Sequence, residues 1–220
     1  MKETRRNSEF VIIGAGRMGA ETLQIAQELE SVKILGFLDD HTKSGNINGV
    51  PILGGKEVVP ELLENNPTVQ AVVAIGNTVA RKKVVDAYSD LGLSYGNLIH
   101  PRAVFPKDTK IGLGCIILAG CVFTVDITVG NHVIVNSCSS VAHDVEIGDY
   151  CMINSQVAIN GNTQLKEGVY VGSGATIIQG IECGAWSNIG AGAVVIRDVP
   201  DETLVVGVPA SPIKRNPLLP

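Results

Sequence analysis

Between Ile99 and Pro200 the sequence places an apolar residue at every sixth position. The series runs Ile99, Phe105, Ile111, Ile117, Phe123, Val129, Val135, Val141, Ile147, Ile153, Ile159, Leu165, Val171, Ile177, Cys183, Ile189, Val195, with no slip of register. The fifth position of each block is small or β-branched, as at Cys115, Cys121, Val133, Ser139, Cys151, Thr163 and Ala175, and the second is often Gly or another small residue. A period of six matches neither the 3.6 of a helix nor the alternation of a long strand. It fits a parallel β-helix whose short strands end in tight corners, with three blocks to a coil and about five to six coils in all. Aromatic residues make up only 4% of the chain, as a narrow prism filled by Ile, Val and Ala requires.

The formal net charge of −5 argues against nucleic acid as the main partner. No apolar run reaches membrane length, and the polar start Met1 to Ser8 has no secretory core, so a cytoplasmic protein is expected. The cysteines sort by the repeat. Cys115, Cys121 and Cys151 take the fifth position and Cys183 the first, which reads as buried, reduced and structural, while Cys138 at a fourth position is more exposed. There is no C-x-x-C and no zinc-ligand spacing, so no metal is expected.

Ahead of the repeat the pattern changes. Residues 1–9 form a polar leader, 10–98 a small open α/β sheet, 99–205 the β-helix and 206–220 a tail. Phe10 to Ile13 reads as a buried strand entering Gly14-Ala15-Gly16-Arg17-Met18-Gly19, followed by a helix over Ala20–Glu30 and a strand over Val32–Leu38 that ends at Asp39-Asp40. The three glycines, with Asp39 about twenty residues on, match a dinucleotide-binding fingerprint in its strand–turn–helix context; the glycines could equally serve only a tight turn. His41 to Gly49 reads as a polar loop, Val50–Leu53 as extended, Glu57–Glu64 as a helix and Val69–Ile75 as a strand. Gly76-Asn77 then precedes a helix capped by Thr78, and Arg81, Lys82 and Lys83 in its first turns are either a solvated face or partners for an anion. The fold class is therefore α/β plus β, a small Rossmann-like N-terminal domain followed by a β-helix.

Because no loop interrupts the repeat, chemistry there must come from a corner side chain. His143 occupies a third position, directed away from the packed first and fifth positions, with Asp144 beside it. Histidine takes up a proton near neutrality and an adjacent carboxylate fixes its tautomer, although a lone corner histidine is usually a surface residue. His132, His100 and His41 are weaker candidates.

The repeat, the Gly190-Ala191-Gly192-Ala193-Val194-Val195 stretch and the closing Val206-Gly207-Val208-Pro209-Ala210 resemble the hexapeptide-repeat acyltransferases, whose fold is a left-handed β-helix. With Val11–Gly19, Gly36-Phe37-Leu38-Asp39-Asp40, Ala74-Ile75-Gly76-Asn77 and Asn97-Leu98-Ile99-His100-Pro101, nearly all of residues 10 to 215 resembles the subgroup related to sialic acid O-acetyltransferases. Its best understood members are N-acetyltransferases of nucleotide-linked 4-amino-4,6-dideoxy sugars. The segment Ser139-Ser140-Val141-Ala142-His143-Asp144 aligns with the subgroup's catalytic histidine and following acid.

The resemblance implies that His143 is the general base, that Asp144 orients it, and that attack on the thioester is direct within a ternary complex. It implies that Asn136 lies near the acceptor and that the nucleotide sugar occupies Gly14, Ala15, Gly16, Asp39, Asp40, Gly76 and Asn77. Acetyl-CoA would run between neighbouring subunits of a homotrimer, along Met152, Gly161, Ser173, Gly190 and Ala191, with Lys214 and Arg215 near its phosphates. The setting implied is surface glycan or glycoprotein synthesis. One departure is Arg17-Met18, where many members carry a histidine. O-acetylation of a sialic acid is the neighbouring alternative, and a dinucleotide-binding or ligand-sensing trimeric scaffold is the alternative of another class.

Overall fold

The computed structural model describes residues 8–213, which form two compact units, one from residues 8–76 and 80–101 and the other from 77–79 and 102–213. In the first unit, strand β1 (Ser8–Ile13) is central because Phe10 to Ile13 are apolar on both sides and buried. It pairs in parallel with β2 (Val32–Leu38) on one side and β5 (Gln70–Val73) on the other. With β3 (Asn46–Ile47), β4 (Val50–Gly54) and β6 (Ser94–Tyr95) the sheet order is β3-β4-β2-β1-β5-β6. The helices are α1 (Arg17–Gln27), α2 (Val59–Asn65), which follows a short 3-10 turn, and α3 (Thr78–Ser89).

The chain steps outward from β1 through β2 to β4, then returns to the far side of β1 for β5 and β6. Loops after β1 and β5 therefore leave the sheet in opposite directions, and ligands of open α/β sheets bind at such a switch point. Two local expectations change. The stretch 41–49 is not simply a loop, since β3 and β4 form an antiparallel hairpin whose turn residues Asn48 (φ 50°) and Gly49 (φ 84°) are both left-handed. Asn-Gly is the sequence signature of that turn. Helix α1 also starts earlier, at Arg17, with Gly16 as its N-cap.

The second unit is the β-helix. Its strands are the sixth and first positions of successive blocks, such as Ser140–Val141, Glu146–Ile147 and Met152–Ile153, and each pairs in parallel with the strand 18 residues on. The fourth position is left-handed at every corner from Gly114 (φ 72°) to Gly192 (φ 68°), including Asp126, His132, Cys138, Asp144, Tyr150, Gln156, Asn162 and Trp186. Glycine at the second position answers a different need. A Cβ on Gly112, Gly148 or Gly172 would come within 2.8 Å of the backbone of the next coil.

The fifth position has its own logic. Cys115, Cys121, Ser139, Cys151 and Thr163 donate to the carbonyls of Gly130, Asn136, Asn154, Lys166 and Ile178, in each case the second-position residue 15 further on. Small thiols and hydroxyls thus fill the prism and satisfy corner carbonyls that would otherwise be buried unpaired. The periodicity fails at the ends. Phe105 in the first coil is 37% exposed and meets Phe123 edge-on at 6.5 Å. In the last coil the register shortens to 16 residues, Asn188 facing Leu204, and the Ser187 hydroxyl is buried without a partner among the described residues.

Candidate active site

His143 stands at a corner of the β-helix, its side chain 63% exposed, with Nδ1 2.8 Å from Asp144 Oδ2. An ionised carboxylate only accepts, so Nδ1 donates and the lone pair is left on Nε2. Nε2 makes no hydrogen bond among the described residues. Asp144 is held for this contact by the fold, because its fourth-position slot is left-handed (φ 58°), and Asp is one of the residue types that tolerates that conformation. The pair can take a proton from a group approaching Nε2 and stabilise the resulting charge.

Gly161, one coil beyond His143 and in the same slot, is buried against the imidazole: a Cβ there would lie 2.5 Å from Cε1 and 2.6 Å from Nε2. Sequence reasoning placed Gly161 along a coenzyme and missed this contact, although adding one coil length to His143 finds it. Asn136 follows the strand Ile134–Val135, its Nδ2 3.4 Å from Asn154 Oδ1 and its own Oδ1 buried without a partner among the described residues. Of the remaining coenzyme candidates, Ser173 and Ala191 are exposed, Gly190 is half-buried and Met152 is only 2% exposed. Lys214 and Arg215 lie outside the described residues.

The cysteines do not compete as nucleophiles. Cys115, Cys121, Cys151 and Cys183 are buried, and burial pushes the thiols of Cys121 and Cys183 upward, Cys183 to about 12. Cys138 is exposed, at a different corner.

On the first unit, Gly14, Ala15, Gly16 and Asp39 come together at the switch point. Asp39 Oδ2 accepts from the Ala15 N–H at 2.8 Å, and Oδ1 from the N–H groups of His41 and Thr42 at 2.9 and 2.8 Å. Burial alone would raise its carboxyl, but the Ala15, Thr42 and His41 amides outweigh it and hold the group below the usual range. Asp39 therefore ties the two loops together, and only Oδ2 keeps a vacant acceptor direction. Asp40 accepts from the Lys56 N–H at 3.0 Å and pairs with Lys56 Nζ at 3.2 Å.

The three glycines differ in what requires them. Gly14 is left-handed (φ 107°) and faces the Ala74 carbonyl, while a Cβ on Gly19 would run into the Gly14 carbonyl oxygen. Gly16 has ordinary φ (−87°) and nothing within 4 Å of its Cβ position. It caps α1 without a side-chain bond, and no acid occupies the first turn. Arg17 is exposed there and, with Glu21, Gln24, Asn46 and Asn48, lines an open groove. Gly76 and Asn77 follow β5, with Asn77 exposed.

Arg81 is not part of a solvated face. It is 0% exposed, and its guanidinium donates to the carbonyls of Ile75 at 2.6 Å and Gly76 at 3.4 Å. Its Nη1 serves the backbone at the end of β5. Lys82 pairs with Asp86 at 3.7 Å on the helix surface. His100 is also buried, with Nε2 3.1 Å from Glu28 Oε2.

Residues 9–88 match the PglD N-terminal domain family. Among curated proteins, the UDP-N-acetylbacillosamine N-acetyltransferase of Bacillus subtilis (strain 168) is 34% identical over 111 residues, covering 49% of this chain and 50% of that enzyme, so the match spans about half its length. Among solved structures, PerB from Caulobacter crescentus in complex with CoA and GDP-perosamine is 32% identical with a TM-score of 0.85, covering 94% of this chain and 97% of that one. The acetyltransferase domain of PglB from Neisseria gonorrhoeae FA1090 in complex with acetyl coenzyme A is 32% identical with a TM-score of 0.87, covering 94% and 100%. A left-handed β-helix behind a Rossmann-like domain, matched over its length at this identity, places the chain in the family of these enzymes, the acetyl-CoA-dependent nucleotide-sugar N-acetyltransferases among the hexapeptide-repeat acyltransferases.

Proposed function

We propose that this protein transfers the acetyl group of acetyl-CoA to the amine of a nucleotide-linked 4-amino-4,6-dideoxy sugar, with His143 as general base. The observation that carries the reading is the 2.8 Å Nδ1–Asp144 contact, which leaves an exposed Nε2 lone pair. As the amine nitrogen bonds to the thioester carbon, Nε2 takes the proton the nitrogen sheds. The imidazolium formed faces the Asp144 carboxylate, and its proton is available to the departing thiolate of coenzyme A. Such a base supplies about 10²–10⁴-fold, and holding the two substrates together supplies much of the rest.

The same reading assigns residues 10–98 to the nucleotide sugar and 99–205 to acyl transfer. The open space over Gly16, the start of α1 that no side chain caps and the exposed Arg17 favour a diphosphate there. Gly14, Ala15, Asp39, Asp40, Gly76 and Asn77 border it, and Asn136 serves the acceptor. The exposed small residues Ser173 and Ala191, with Gly190, suit an extended coenzyme, along with Met152, Lys214 and Arg215, in a homotrimer. We place this reaction in the cytoplasm, as a step in surface glycan or glycoprotein synthesis.

Thiol release from acetyl-CoA, measured with UDP-, dTDP- and GDP-linked amino sugars and their hydroxyl counterparts, tests this. His143→Ala should lower kcat by at least about 100-fold while coenzyme A still binds. Unchanged turnover removes His143 as base, and turnover confined to hydroxyl acceptors would make the enzyme an O-acetyltransferase.

A further inference from the structure

The corner slot of His143 recurs one coil earlier as Val125 and two coils later as Gln179, so the coil itself accepts side chains there. Between them Gly161 carries none. Its φ is not left-handed, and it falls outside the fourth-position series where the corner demands that conformation. Neither backbone nor slot requires glycine. What a side chain would meet is His143: the three atoms nearest a Cβ at residue 161 are Cε1 at 2.5 Å, Nε2 at 2.6 Å and Nδ1 at 3.0 Å, all of the imidazole. Real Cβ contacts do not come so close, so one of the two groups would have to move.

The group able to move is the ring. Gly161 is buried in a coil pinned by backbone hydrogen bonds, its carbonyl accepting from the Gly180 N–H at 2.9 Å, whereas the His143 side chain is mostly exposed. We infer that Gly161 is a positioning residue for His143: its missing side chain is the space in which the imidazole stands while Nδ1 is bonded to Asp144. This rests on the reading of His143 as the base. A methyl group at 161 swings the ring, and with it Nε2, away from the direction the Asp144 contact sets. A displacement on the order of 1 Å at a reacting group costs about 100-fold in rate.

The test is a double-mutant cycle on the full chain with His143→Ala and Gly161→Ala, reading kcat, coenzyme A affinity by calorimetry, thermal midpoint, and the ¹⁵N signals of the His143 ring, which report its tautomer. Gly161→Ala should lower kcat by about 10–100-fold, alter the ring signals, and leave the midpoint and coenzyme affinity unchanged. In the His143→Ala background it should have no further effect. The inference is overturned by full activity of Gly161→Ala, by an equal loss in the His143→Ala background, by a matching loss of coenzyme affinity, or by failure to fold. Full activity of His143→Ala would instead remove the base itself, and this inference with it.

Discussion

The two units satisfy their buried polar groups in different ways. In the β-helix the solution is periodic: a fifth-position thiol or hydroxyl finds the carbonyl 15 residues on, and five such rungs repeat one geometry. The open sheet has no slots. At each strand end one side chain is committed to the backbone: Arg81 to two carbonyls after β5, Asp39 to three amides around β1 and β2, and Asp40 to Lys56. In the repeat, then, a functional side chain can occupy a corner without disturbing its neighbours, as His143 does. In the sheet, Asp39, Asp40 and Arg81, which look available for a ligand, are already engaged in holding the loops, while Arg17 stands exposed at the start of α1.

If that contrast is right, its largest consequence is at Arg81. Arg81→Met keeps most of the volume but leaves the carbonyls of Ile75 and Gly76 without their donor. It should destabilise the first unit by about 3 kcal/mol, the upper end for buried acceptors left unpaired. Ser139→Ala in the β-helix removes an uncharged hydroxyl that donates to the Asn154 carbonyl and accepts from the Val157 N–H, and should cost about 1–2 kcal/mol, less than losing a charged donor shared by two carbonyls. Urea unfolding followed separately in the two units measures both, and equal losses would erase the distinction.

The same contrast explains what the sequence made legible. A six-residue period needs no knowledge of partners, so the β-helix, its buried cysteines and the corner placement of His143 were all readable from position alone. Adding a coil length would also have found Gly161 against the ring. The open sheet was readable in its elements, from Phe10–Ile13 and the three glycines. Its site was harder, because whether Asp39 or Arg81 faces a ligand or the backbone depends on loops brought together by strand order. The hairpin turn at Asn48-Gly49 did carry a signal, but it sat within a polar stretch too short to show alternation.

Asp39 sharpens the comparison through pH. Its carboxyl in the folded protein lies below the reference value of 3.8, so the carboxylate stabilises the folded state above that value. That contribution is lost as pH falls through the folded-state value. Asp39→Asn cannot accept from all three amides, and its NH₂ would confront an N–H donor. A loss of about 1–2 kcal/mol at neutral pH is expected, tempered by solvent around a carboxylate that is not fully buried. Stability measured between pH 7 and pH 3 should fall less steeply in the variant than in the wild type. Parallel curves would mean that Asp39 does not hold the loops.

Gly16 is where the sheet departs from its own rule, and there the effect on stability should be smallest. Gly14 needs its left-handed backbone and Gly19 its close approach to the Gly14 carbonyl, so both are demanded by the fold. Gly16 has open space around its Cβ position and an extended backbone that alanine adopts freely (φ −87°, ψ −166°). Alanine is a poorer N-cap than glycine, but the cost stays below about 1 kcal/mol. If the fold does not need this glycine, a ligand does: a methyl group would stand where a diphosphate approaches the start of α1. Gly16→Ala should therefore keep its midpoint and its kcat at saturation while the KM for the nucleotide sugar rises about tenfold, equivalent to about 1.4 kcal/mol of binding. An unchanged KM would move the sugar nucleotide off this loop, and leave Gly16 as a residue required by neither fold nor ligand.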